Sequence, residues 1–201
     1  MEEDPEDLEE ALTCYGSYLD FCLDSLSLVL QDLSGSFVTF QHGVNMQLAQ
    51  YNVARLAYPL DAPEMAGFFE LLDPIHHAGD ASKGFVWRFK GADGDYALDV
   101  RPSDGDGAIL VAMTTWESID DLDAFMKGPH LTAFLRRREW FIKGSGNNVC
   151  WWVPDGKQTT IAEGEERLAH LECFGPSRIA FTLRTAFTPE GEKYVLPAHQ
   201  A

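Results

Sequence analysis

From residue 46 onward the hydrophobic positions switch between a period of two and a period near 3.6, the signatures of strand and helix. MQLAQYNVA (46–54) reads as a strand. PLDAPEM then marks a loop leading into a helix over about 63–72, with Pro63 and Glu64 in its first turn. GFVWRFK (84–90) alternates, which predicts Phe85, Trp87 and Phe89 on one strand face and Val86, Arg88 and Lys90 on the other. A short strand extension is expected over 96–101, and AILVAMTTW (108–116) is a long apolar strand. Ser118 is placed to cap a helix whose first turn holds Asp120 and Asp121, where carboxylates favour the helix dipole. After Gly128-Pro129 a second helical stretch runs over about 130–142. NVCWWVP (148–154) reads as a strand, 160–173 as a helix opened by Thr160, and RIAFTLRTAF (178–187) as a final strand.

This order, β-α-β-β-α-β with a further helix and strand, predicts an α+β fold. It is the ferredoxin-like antiparallel sheet with a C-terminal addition. Helices cover one face of such a sheet. The strands here are apolar on both faces, so the second face must also be covered, most economically by a second copy of the same sheet. The chain divides into an acidic extension over 1–45, a domain over 46–188 and a tail over 189–201. Within the extension Leu19, Leu23, Leu26 and Leu30 recur at helical spacing, so 6–32 is a candidate amphipathic helix that Ser34-Gly35-Ser36 would end. The segment reads as a solvated appendage, as sequence upstream of an original start at Met46, or as a partner-binding helix.

Charge and composition narrow the function. At 201 residues and 45% hydrophobic, the chain can bury a core. The net charge of −17 excludes a nucleic-acid backbone binder, which needs a basic face. Ten carboxylates and no Lys or Arg fall in 1–45, leaving the remainder near −7. No run approaches a bilayer span of roughly 18 apolar residues, and MEEDPEDLEE has the wrong sign for a secretory or transit leader. A cytoplasmic location is expected, with no membrane partner. Cys14, Cys22, Cys150 and Cys173 show neither a CxxC pair nor metal-ligand spacing, and read as reduced thiols.

The candidate chemistry gathers in HLTAFLRRREWFIKGSGNNVCWWVP (130–154), which holds three of the five tryptophans and three consecutive arginines. Amphipathic rings and guanidinium groups are the side chains that line and orient small-molecule pockets. His130, at a helix start, is a candidate acid/base because an imidazole titrates near neutral pH. Arg136, Arg137 and Arg138 point about 100° apart on a helix, so they cannot share one site. Arg138 is the one chosen to hold an oxyanion by a bidentate contact. Glu139 is a pocket acid if desolvated, and otherwise an arginine's ion-pair partner. Trp87, Trp116, Trp140 and Trp151 are candidate pocket walls, with core packing as the plainer role for any one of them. Arg88 is a candidate substrate contact that alternates with Trp87. His76 and His77 could ligate a metal or haem iron, with Asp73 and Asp80 as the missing ligands, but no recognisable set is complete. Cys150, beside Trp151 in an apolar strand, reads as an inert thiol. No GxSxG, P-loop or GxGxxG motif is present, so neither a cofactor nor a metal is expected.

LAQYNVARL (48–56), GFVWRF (84–89), WES (116–118), RRREWF (136–141), WWVP (151–154) and the AF at 180–181 together resemble a mainly bacterial family. It is known only as domain of unknown function 3291, within the dimeric α/β-barrel superfamily. The resemblance spans about 46–188. It implies a homodimer whose two sheets form a barrel-like pocket, and a histidine near the His130 helix facing that pocket. It does not carry a reaction: superfamily relatives include cofactor-independent monooxygenases, isomerases, decarboxylases and haem-binding peroxidases. His76-His77 stands where the family often has an Asn-Ala-like pair. The expectation is a small cofactor-independent enzyme, monooxygenase-like, isomerase or cyclase, acting on a hydrophobic or aromatic molecule by acid/base chemistry. The competing expectations are a non-catalytic ligand-binding or interaction protein, or a haem-binding protein, on the same scaffold.

Overall fold

The computed structural model describes residues 45–91, 101–102 and 108–197. The candidate helix over 6–32 and most of the strand extension over 96–101 lie outside them. Four strands carry the fold: β1 (Met46–Arg55), β2 (Phe85–Arg88), β4 (Ala108–Trp116) and β5 (Asn147–Pro154). They pair antiparallel in the order β2-β4-β1-β5, with the two-residue β3 (Arg101–Pro102) also on β4. The first and third long strands are therefore central and the second and fourth lie at the edges, which is the ferredoxin-like arrangement and gives an α+β fold.

Helices α1 (Phe68–Asp80), α2 (Ile119–Met126) and α3 (Pro129–Arg136) cover one face. Leu56, Phe68, Leu72, Leu110, Phe134 and Trp140 form one cluster there, and Leu48, Trp116, Ile119, Leu122 and Cys150 a second. α1 is longer than its pattern suggested. It begins after a 3-10 turn at Pro63–Met65, enters through Gly67 at φ 82°, and continues past Pro74 because Ile75 and Gly79 are buried against the core. The expected helix over 130–142 is two pieces, α3 and a 3-10 turn at Arg138–Trp140, separated at Arg137. Ser118 caps α2 by accepting from the Asp121 amide at 3.2 Å. Thr160 and Glu163 close a reciprocal capping box on α4 (Ile161–Phe174).

α4 supplies the cover for the other sheet face. Ala49, Tyr51, Val111, Met113, Val149, Trp151 and Val153 are buried there, with Ile161, Leu168 and Leu171 of α4 packed on them. Gly164 lets the helix sit close: a Cβ at that position would fall 2.5 Å from the Tyr51 ring. The expectation that a second sheet covers this face is thus replaced, over β1 and β5, by a helix of the same chain.

Two further expectations change. The segment 178–187 is not a continuous strand. It makes a bridge from Phe181 to Cys150, turns, and ends in β6 (Ala186–Phe187) paired with β7 (Lys193–Tyr194). The fold also continues beyond 188, since Tyr194 and Leu196 pack on the Leu48–Trp116 cluster.

Candidate functional site

The expected cluster over 130–154 does not converge. His130 is exposed on the first turn of α3, and Arg138 and Glu139 are exposed on the turn after it. Glu139 pairs with Arg137, whose hydrogen bond holds the carboxyl below its usual range. Arg137 also lies over the Trp140 ring, 4.1 Å from its centroid. Trp116, Trp140 and Trp151 are core: their exposures are 0%, 0% and 1%. Trp116 donates from Nε1 to Thr114 Oγ1 at 2.9 Å and stacks edge-on with Phe85. Burial pushes the Cys150 thiol up to about 12, so it is no nucleophile at neutral pH. Cys173 is disulfide-bonded, a departure from the expected set of reduced thiols.

The structure instead brings Trp87 and Arg88 together at an open groove of about 630 Å³ along β2, lined by Asp80 and the run Phe85 to Lys90. A bulge interrupts the strand that lines this groove. Phe85 lies opposite Trp116, but Trp87 lies opposite Thr115, so Val86 is an extra residue in the ladder. A two-residue period cannot survive an insertion. Phe85 therefore joins the helix-side core, while Trp87 and Phe89 pack toward the α4 side. The expected grouping of Phe85 with Trp87 and Phe89 on one face does not occur.

Arg88 projects toward the end of α1. Its Nε and Nη2 donate to the two oxygens of Asp80 at 2.8 and 3.1 Å, a bidentate pair that draws the Asp80 carboxyl below its usual range. The guanidinium is only 12% exposed, against 47% for Asp80, and Nη1 is buried with no hydrogen-bond partner. Half-buried His76, one helical turn before Asp80, has a lowered pKa. Burial is the larger cause and the positive field of Arg88 the next, opposed by Asp73 and Asp80 and assisted by His77. His77 is exposed, with Nδ1 2.8 Å from the Asp73 carbonyl oxygen.

A polar row runs inward from Arg88. Thr114 faces Arg88 across the ladder, Gln50 faces Thr114, and Cys150 faces Gln50. Thr114 donates to Gln50 Oε1 at 3.1 Å, and Gln50 Nε2 reaches Met126 Sδ at 3.7 Å. This row lies between the two helix-side apolar clusters. The sequence reading missed Thr114 and Gln50 as site residues, and considered His76 and Asp80 only as metal ligands. The available signal is Gln50 and Asn52, two polar residues on the face of β1 that carries buried Leu48. Among the described residues, no three His, Cys, Asp or Glu side chains gather as a metal-binding set, and no helix is long and apolar enough to cross a membrane.

The lowered pKa of His76 has a measurable consequence. On acidification the unfolded chain takes up the histidine proton before the folded one does, so stability falls as pH drops from 6.5 through the folded value. Histidine NMR should place the His76 midpoint below 6.5, and Arg88→Gln should move it upward by removing a positive neighbour. An unchanged midpoint in that variant would mean that Arg88 does not act on His76.

The profile of the family described as Domain of unknown function (DUF3291) matches residues 47–197. The chain belongs to that family. The match takes in β1, the groove, α4 and the C-terminal hairpin. No functionally curated protein matches the sequence. Among solved structures, a protein of unknown function from Nitrosomonas europaea is similar at 12% identity and a TM-score of 0.40, covering 59% of this chain and 99% of its own. The cofactor-independent oxygenase SnoaB from Streptomyces nogalater is similar at 17% identity and 0.36, covering 57% and 96%. A nipsnap family protein of unknown function from Agrobacterium tumefaciens gives 13% and 0.35, covering 59% and 97%. Likeness at this level says nothing of substrate or reaction; the strand order above is what places the fold.

Proposed function

We propose that this protein is a small-molecule enzyme that moves a proton on an aromatic or otherwise hydrophobic substrate held in the β2 groove, without an organic cofactor. The observation that carries this reading is a nearly buried arginine in a groove lined by Phe85, Trp87 and Phe89, with a half-buried histidine close enough to feel its charge. Arg88 holds and polarises an oxygen of the substrate. His76, kept neutral by burial and by Arg88, accepts a proton from the adjacent carbon or hydroxyl. The roles expected of His130 and Arg138 thus pass to His76 and Arg88: Arg88 lines the groove, as His130 and Arg138 do not, and His76 lies within its field. Oxygenation, isomerisation and cyclisation all begin from such a deprotonated substrate. The homodimer implied by the family resemblance is retained, its second copy packing beside α4 where Trp87, Phe89 and Ile109 stay half-buried; sedimentation equilibrium measures it.

The test is proton exchange. Purified protein is incubated in deuterated buffer with a panel of phenolic and enolisable aromatic compounds, and deuterium uptake at carbon is followed by NMR. At least one compound should exchange faster with protein, and His76→Gln should slow that exchange by roughly a hundredfold or more, the usual worth of a positioned base. Exchange that survives in His76→Gln removes the histidine from the chemistry. Groove binding without exchange by any compound would instead make this a ligand-binding protein.

A further inference from the structure

We propose that the β2 groove selects an aromatic anion, whose carboxylate or phenolate oxygen accepts the remaining N–H of Arg88 Nη1. The inference rests on the groove being a small-molecule site and names the class of molecule that fits it.

Three observations lead there. First, a guanidinium offers five donors in a planar fork. Asp80 engages Nε and Nη2, while Nη1 is buried and unpaired. A buried donor left without an acceptor is costly, so an unpaired one on a side chain that lines a groove is where a ligand gains most. Second, the acceptor is better charged than neutral. The Asp80 carboxylate is about half exposed and screened by water, whereas the Arg88 charge is largely shielded from it. Lys90 adds a second cation to the lining against the one carboxylate of Asp80, so the described lining residues carry a net positive charge. The field is also felt by His76, which Arg88 pushes toward the neutral state. Third, the rest of the lining is aromatic. Phe85, Trp87 and Phe89 all line the groove, although the bulge at Val86 leaves them on different faces of the sheet. Rings with a cation at one end recognise a flat hydrophobic body that ends in a negative oxygen.

Three probes separate these contributions: 1-naphthoate, its neutral amide 1-naphthamide, and cyclohexanecarboxylate, an anion without an aromatic ring. Binding is read by calorimetry and by the indole N–H signal of Trp87. Naphthoate should bind about tenfold or more tightly than naphthamide, the usual worth of a charge-assisted bond over a neutral one. Cyclohexanecarboxylate should bind more weakly than naphthoate. Arg88→Gln should erase the preference for the anion, weakening naphthoate binding much more than naphthamide binding. Asp80→Asn should raise naphthoate affinity, because it removes the competing negative charge; a merely structural Asp80–Arg88 pair would give no such gain. The double variant Asp80→Asn/Arg88→Gln leaves no orphaned charge, and should stay folded and lack the preference. Equal binding of naphthoate and naphthamide would overturn the anion inference and leave the groove reading standing. Equal binding of cyclohexanecarboxylate and naphthoate would overturn its aromatic part. If no probe shifts Trp87, the groove reading itself falls and this inference with it.

Discussion

Replacing Trp140 by alanine should destabilise the fold by about 3–5 kcal/mol, the cost of emptying a large buried aromatic site. The ring is fully buried, packs edge-on against Phe68 at 5.3 Å between centroids, and lies tilted against Phe134 at 5.6 Å. Its Nε1 donates to the Glu64 carbonyl oxygen at 3.0 Å, tying the turn before α1 to the turn after α3. Alanine would leave that carbonyl unpaired, remove the platform under Arg137 and open a void beside Phe68 and Phe134. Trp140→Phe keeps most of the volume and loses the hydrogen bond, so its cost should be nearer 1 kcal/mol. Urea unfolding of both variants checks the pair. Near-normal stability of Trp140→Ala, together with weakened ligand binding, would return Trp140 to the pocket wall.

The contrast between Trp140 and Trp87 shows how far the sequence could be read. The apolar stretches at 46–54, 108–116 and 148–154 mark the three long strands, and Ser118 and Thr160 mark two helix starts, because capping is a local interaction. Where neighbours in space decide, the pattern was silent. Val86 is as apolar as the residues around it, so nothing local distinguished a bulge from a regular strand, yet the bulge puts Phe85 and Trp87 on opposite faces. RRREW had helical composition throughout. The chain breaks at Arg137 because Trp140 is drawn into the core and Arg137 lies over its ring.

The site was half legible for the same reason. Trp87 and Arg88 were chosen as aromatic and cationic side chains on a strand, and the structure places both at the groove. Asp80 precedes Arg88 by eight residues, but only the helix-to-strand turn folds one back onto the other. Density of reactive residue types misled in 130–154, where tryptophan and arginine serve packing and surface ion pairing. Gln50 was the better pointer: a polar side chain at the centre of a sheet must be satisfied, and its partner Thr114 lies opposite Arg88.

Gly164 decides whether α4 is the true cover of the second sheet face. In an isolated helix, replacing glycine by alanine gains about 1 kcal/mol. Here the added methyl would sit 2.5 and 2.6 Å from ring atoms of Tyr51 and 3.0 Å from its Cβ, at the root of the side chain rather than at a movable tip. Tyr51 is 2% exposed and held in register between Met113 and Val149, so it has no room to retreat. Gly164→Ala should therefore reverse the usual sign and destabilise by about 1–3 kcal/mol, the typical cost of overpacking. Gly164→Val should cost more, because it adds bulk and β-branching in the same place. As α4 lifts, buried Trp151 meets water, so tryptophan emission should shift to the red before global unfolding. The uncovered face is apolar across three strands and should self-associate as concentration rises. A Gly164→Ala protein more stable than the parent would mean that α4 does not seat against Tyr51. The apolar face of β1, β4 and β5 would then need its cover from outside the chain, and the sheet-on-sheet dimer would become the better account of this fold.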